Sequence, residues 1–395
     1  MYDRGSSRDA ENGNRFPETV LRFGWAAFFT DVATEMAYPL LPAFLIAIGG
    51  GAAALGVMEG TAESIASVVK WWSGTRSDRT AKKPLVVAGY AIATLVRPAL
   101  SLVRSPAQVV LVRSIDRIGK GIRAAPRDAL VAASVDADRR AAAFGFERMM
   151  DNLGAVAGPL IAFSLAKLGV PLRWIFGATL LPGLVAILIV LGVREATRNT
   201  AENKADHVPT KTSSLSASVK TYLAIVVLFS LGASADSFLI LRLLDLGLPI
   251  ALSPIVWLSL NASKSALNLP GGKLADRFGK KRMLAIAWLV YAAAYALFPM
   301  TNSVAITWAL VVGYGAYYGL AEGGEKALVA ELASKEDRGR AYGALNAVTG
   351  FAVLPANAIF GYLYSTHISW AFGISAGCAG LAAIALMLTH RERAA

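Results

Sequence analysis

The sequence predicts an all-α membrane protein that crosses the bilayer twelve times, its helices arranged as two pseudo-symmetric bundles of six. Three observations predict this. Of the 395 residues, 55% are hydrophobic and only 17% are charged, with a mean hydropathy of +0.50; a soluble domain usually carries about 25% charged residues. Twelve apolar segments each approach the roughly 20 residues that a spanning helix needs. The two halves of the chain repeat one another at a single offset. The same composition excludes a soluble globular domain, a disordered chain and a disulfide scaffold, the last because the chain holds one cysteine, Cys378.

The apolar segments fall near 22–47, 53–73, 84–103, 107–126, 141–166, 174–193, 221–246, 250–271, 283–300, 304–325, 341–363 and 370–389. Such long runs are helices and not the short alternating strands of a barrel. Residues 1–20 are polar and mixed in charge, without the apolar stretch of a signal peptide, and read as a cytosolic tail. Residues 21–193 form the first bundle, 194–220 a flexible cytosolic linker, 221–390 the second bundle and 391–395 a second cytosolic tail. Placing the N-terminus in the cytosol puts 26 Lys and Arg in the cytosolic tails and loops against three outside, Arg104, Lys167 and Arg173. That bias sets both chain ends in the cytosol of a cell (inner or plasma) membrane. The net charge of +12 therefore reflects topology and not a nucleic-acid surface.

The internal repeat has an offset of 198 residues. Gly74, Asp78, Arg79, Lys82 and Lys83 recur as Gly272, Asp276, Arg277, Lys280 and Lys281. Gly121 and the run Ala129-Leu130-Val131-Ala132 recur as Gly319 and Ala327-Leu328-Val329-Ala330. Arg140 and Gly145 recur as Arg338 and Gly343. One offset over three separated blocks implies two bundles related by an axis along the membrane normal.

Residues 272–281 read Gly-Lys-Leu-Ala-Asp-Arg-Phe-Gly-Lys-Lys; 74–83 match them at Gly74, Asp78, Arg79, Lys82 and Lys83, with Ala81 standing where the second copy has Gly279. On these loops the chain resembles the major facilitator superfamily over nearly its whole length. Arg117-Ile-Gly-Lys-Gly121 in the fourth helix is similar to that family's R-x-x-x-G motif. Gly154-Ala-Val-Ala-Gly158-Pro159 in the fifth resembles the start of the motif of its drug:proton antiporters, although Ala162 stands where a later Gly is expected. The resemblance implies a secondary active transporter working by alternating access. It also implies gating by the loops that contain Gly74, Asp78, Arg79, Gly272, Asp276, Arg277 and Gly279. The Asp carboxylates there can face the positive end of a helix in the other half, and the basic side chains can bridge to loop acids.

Charged residues inside an apolar helix are costly and need a partner or a function. Helix one carries Asp31 and Glu35 one turn apart, and helix two Glu59 and Glu63. Helix four carries Arg113, Arg117, Lys120, Arg123 and Arg127 within about 120° of its circumference. Helix five adds Glu147 and Asp151; the second half offers Asp236 and Lys264. Helices three, six, nine and twelve are nearly free of charge, Arg97 excepted, which by family geometry turns them to lipid. Two readings of the cluster stand: an internal salt-bridge network, or a cavity in which a few groups trade partners during transport. Asp31 and Glu35 are expected to face Arg117, with Glu63 and Asp151 close by, since a buried carboxylate beside an arginine can take up and release a proton.

The expected activity is secondary transport of a small molecule, with proton-coupled export of an organic compound ahead of import or exchange of an anionic metabolite. A transporter-like sensor without flux is the reading from another class. Expected partners are the substrate, protons and the lipid bilayer, with the chain a monomer. The histidines, His207, His367 and His390, lie outside the spans. No metal site, no cofactor and no enzymatic nucleophile–base pair is expected.

Overall fold

The computed structural model describes residues 16–77, 81–136, 139–193, 215–334 and 337–389. Every regular element among them is a helix, in twelve passes, six before and six after residues 194–214. The first, α1, runs Glu18–Ala37 and continues through a 3-10 turn, Tyr38–Leu40, into Leu41–Ala47. The bend falls where Pro39 and Pro42 remove backbone donors. Then follow α2 (Ala52–Ser77), α3 (Lys82–Val96 with the turn Arg97–Ser101), α4 (Pro106–Ala133), α5 (Arg140–Lys167) and α6 (Leu172–Ala178 and Leu180–Leu191). The second half holds α7 (Ala217–Gly232 and Ser237–Asp245), α8 (Ser253–Phe278), α9 (Lys280–Leu297), α10 (Val304–Leu332), α11 (Arg338–Thr366) and α12 (Ile368–Leu388).

Among the described residues, nine helices are long and apolar enough to cross a membrane. The three that fall short are α1, α4 and α8, which bear Asp31 and Glu35, the Arg/Lys stripe, and Lys264. Polarity, not length, separates them from the rest. Two expectations are corrected. Helices α2, α4, α8 and α10 run past their expected ends, α4 by two turns, because basic and small residues that end an apolar run still favour helix. Helix α7 is not continuous: its ladder stops at Gly232 and restarts at Ser237.

The repeat in sequence is a repeat of contacts. A Cβ on Gly121 would come within 2.8 Å of the Val69 Cβ, and one on Gly319 within 2.5 Å of the Leu267 Cβ; both pairs differ by the same 198 residues. Glycine lets α2 approach α4, and α8 approach α10, to backbone distance at the same place in each half. In the first half, the Ser73 hydroxyl uses that proximity to donate to the Gly121 carbonyl at 2.8 Å.

The halves meet along α2 and α11, which run antiparallel. Cβ atoms on Gly56 and Gly60 would collide with the backbone of Asn357 and Leu354, and one on Gly361 with the Ala52 carbonyl. Ser64 donates across the same seam to the Gly350 carbonyl at 2.8 Å. Farther along, on the face bearing both chain ends, a Cβ on Gly343 or Gly339 would meet nothing within 4 Å among the described residues of other elements. Val68 and Trp71 of α2 are there exposed, at 50% and 73%. The bundles are thus closed on the face away from the chain ends and parted on the face that carries them.

Substituting Gly121→Val or Gly319→Val should lower the thermal unfolding midpoint in detergent, by overpacking of about 1–3 kcal/mol. Gly343→Ala should leave it unchanged or raised, since its Cβ meets open space. Tryptophan fluorescence during heating measures all three.

Candidate functional site

A cavity of about 200 Å³ opens between the halves, lined by Asp31, Thr34, Glu35 and Tyr38 of α1, Arg97 of α3, Asp116, Arg117, Lys120 and Arg123 of α4, and Trp257 of α8. The spacing of Asp31 and Glu35 places both carboxylates on one face of α1. Behind them lies α5. A Cβ on Gly154 would sit 2.9 Å from the Asp31 Cβ, and one on Gly158 2.9 Å from the Glu35 Cβ. The two glycines of the helix-five motif therefore seat α5 directly against the turn bearing the acids. Pro159, which follows Gly158, is buried in the same helix.

The stripe on α4 divides by partner. Asp116 binds two arginines, Arg97 at 2.8 Å and Arg113 at 3.2 Å, and Arg113 also lies 5.1 Å over the Tyr38 ring. Arg117 reaches Glu63 of α2 at 2.9 Å. Arg123 stacks 4.3 Å over Tyr90. Arg127 holds Glu147 of α5 at 2.7 Å and Asp128 at 3.2 Å. Lys120 is exposed in the cavity, and among the described residues no acid lies within ion-pair distance of it.

Arg117 thus shares the cavity with Asp31 and Glu35, but its ion pair is with Glu63. Neither helix-one acid has a basic partner at ion-pair distance among the described residues. Glu35 instead accepts a hydrogen bond from the Trp257 indole of the other half, and Asp31 makes no hydrogen bond through its side chain among the described residues. Asp151 of α5 is half-buried, within electrostatic reach of Asp31. Glu59 is buried outside the cavity, and its Oε1 has no hydrogen-bond partner among the described residues.

In the second half, Lys264 holds Asp236 at 2.6 Å and lies 3.7 Å over the Tyr318 ring. The hydroxyls of Tyr314 and Tyr318 donate to the same carboxylate at 3.0 and 3.1 Å. Asp236 closes the break in α7, whose freed backbone groups are answered by side chains. Ser234 N–H donates to Tyr291 at 3.2 Å, Ala235 N–H to Asn357 at 2.8 Å, and Ser375 donates to the Gly232 carbonyl.

Of the loop residues, Asp78 and Arg79 lie outside the described residues. Gly74 packs with its Cβ position 3.7 Å from Ala125. At the end of α8, which includes Gly272, Asp276 is exposed without an ion pair among the described residues. Arg277 lies over Phe278 at 5.3 Å. Gly279 has φ +93°, a value that favours glycine, and turns α8 into α9. Beside it Lys280 ties α9 to Glu331 of α10 at 2.8 Å.

Charge scarcity found most of these groups in the sequence. Tyr38 and Trp257 were missed, because an aromatic residue in an apolar run gives no signal of its own.

Comparison with known proteins agrees with this architecture. An uncharacterised MFS-type transporter of Methanocaldococcus jannaschii is 28% identical over 386 residues, covering 94% of this chain and 96% of its own. A probable 4-methylmuconolactone transporter of Cupriavidus pinatubonensis is 27% identical over 308 residues, covering 74% of this chain and 71% of its own. The solved structure of a mutant of the nucleoside transporter NupG superposes with a TM-score of 0.79 at 14% identity, over 93% of this chain and 99% of that one. The family model described as Major Facilitator Superfamily matches residues 23–263 and 245–395. With the twelve helices, the repeat and the cavity between the halves, these matches make the chain a membrane-embedded secondary transporter rather than an enzyme: it belongs to the Major Facilitator Superfamily.

Proposed function

We propose that the chain exports a small, polar organic solute in exchange for protons. The observation that carries this reading is the pair of carboxylates, Asp31 and Glu35, without basic partners in a cavity walled by Lys120 and Arg123. Isolated charge between apolar helices is expensive, so an acid left without an ion pair is a natural place for a proton. The surrounding ion pairs on Asp116, Glu63 and Glu147 serve as the fixed frame. The cavity's charged lining supports a polar solute over an amphipathic one. Lys120 and Arg123 favour the second reading, import or exchange of an anionic metabolite, and the 4-methylmuconolactone transporter similarity is compatible with it.

In this reading the chain is a monomer in the cell membrane with both ends cytosolic, and the parted face opens inward. The loops around Asp78 and Asp276 close that face in the other half of the cycle. In the inward-open arrangement the contacts of these loops are released, a reading that the exposure of Asp276 supports.

Three outcomes follow for protein in liposomes. Asp31→Asn or Glu35→Gln should abolish proton-driven flux while sparing substrate exchange; wild-type dependence on the proton gradient in both would place the proton elsewhere. Arg117→Ala should be worse, because it leaves the half-exposed Glu63 without its partner and removes a positive charge that faces Glu35 and Asp116; full activity would remove the cluster from the mechanism. Asp78→Asn and Asp276→Asn should slow transport in folded protein, Asp78→Asn more, whereas normal flux in both would reduce the loops to topology signals. Orientation is checked separately: single cysteines placed in 167–173 and in 194–220 should label from opposite sides of the membrane.

A further inference from the structure

The second bundle reaches the helix-one acids through one side chain. The Trp257 indole N–H donates to Oε2 of Glu35, and its ring packs on Tyr38 with centroids 4.7 Å apart. Lys264, itself bound to Asp236, lies 5.4 Å from the same ring. Trp257 is 8% exposed. Among the described residues the indole is the one hydrogen-bond donor to the Glu35 carboxylate. Glu35 sits on α1 and Trp257 on α8, so the bond spans the two bundles. The Ser64–Gly350 bond also crosses the seam, but it involves no group that changes charge.

We propose that Trp257 is the positioning residue through which the charge of Glu35 sets whether the seam between the bundles is shut. While Glu35 is a carboxylate, the N–H···O⁻ bond holds α8 on α1. When Glu35 is neutral the bond drops to a neutral one, roughly half as strong, and the population shifts toward a seam that opens. The charged groups facing Glu35 are Asp31 on its own helix, Arg113, Arg117 and Lys120 on α4, and Lys264 behind the indole, while Asp151 on α5 faces Asp31. None of them replaces the indole as a direct partner. This inference rests on the reading that Glu35 changes charge during transport.

The test reads the seam and not the flux. In full-length protein carrying Cys378→Ser, Ala52→Cys places a thiol in the seam, where Ala52 is 6% exposed and its carbonyl lies against Gly361. A membrane-impermeant maleimide is applied to purified protein at one pH, so that thiol reactivity is constant. Trp257→Phe keeps a ring against Tyr38 and removes the N–H; Glu35→Gln removes the charge. Trp257→Phe should raise the labelling rate about tenfold, which is ~1.4 kcal/mol, Glu35→Gln should raise it less because a neutral bond remains, and the double variant should label no faster than Trp257→Phe alone. Parental labelling in Trp257→Phe, or effects that multiply in the double variant, would overturn the proposal. If Trp257→Phe does not fold, 3-benzothienylalanine at position 257 keeps the bicyclic shape without the donor, and the same two outcomes decide. Proton-driven flux in liposomes is measured on the parent: its absence removes the transport reading and leaves the labelling result to judge the latch alone.

Discussion

A charge set among apolar helices has to be answered by something, and the arrangement of the first bundle follows from how its charges are answered. Asp116 takes two arginines, Glu63 takes Arg117, and Glu147 takes Arg127. These pairs pin α4 to α3, α2 and α5. Much of what the pairing leaves over gathers in one place, where Asp31, Glu35 and Lys120 border the same cavity, while Glu59 lies buried outside it. The fixed network and the reactive remnant are therefore parts of one balance. Removing a pair does not merely loosen a helix; it releases a charge that competes for the remnant.

The second bundle answers a different constraint. It carries little charge and a dense aromatic interior, in which Tyr291 stacks on Tyr295 at 4.0 Å and Phe229 on Trp288 at 4.8 Å. Its buried acid Asp236, paired with Lys264, is wrapped by Tyr314 and Tyr318. Two halves built on one repeat have thus diverged in chemistry while keeping their helix packing. Glycines at equivalent positions maintain the backbone approach in both, and that approach is indifferent to whether the remaining faces carry charge or aromatic rings.

Much of this was legible before any coordinates. A helix count, the repeat and the face of α1 that bears Asp31 and Glu35 all follow from periodicity and from the rarity of charge in apolar runs. The helix-five glycines were legible as a motif, and their packing behind the two acids gives them a local purpose. Partner choice was not legible: whether Arg117 meets Glu63 or Glu35 depends on helix rotation and tilt, which a linear spacing does not encode. The break in α7 gave no warning either. Gly232-Ala-Ser-Ala-Asp236 contains no proline, and the side chains that stabilise the break, Tyr291, Asn357 and Ser375, lie on three other helices.

That break has a mechanical consequence. A helix interrupted between Gly232 and Ser237 has two axes, joined by a short strip whose bonds go to side chains and not along a ladder. The outer piece, Ser237–Asp245, packs against α1 and α2 of the other bundle and against α8 and α10 of its own, while the inner piece packs on α11 and α12. A tilt of the outer piece about the strip would unwind no turn, but it would break the bonds that tie it to its own bundle, Arg242 on the Thr301 carbonyl and Tyr364 on Asp245. One wall of the seam is thereby built on two axes, where an unbroken helix would give it one.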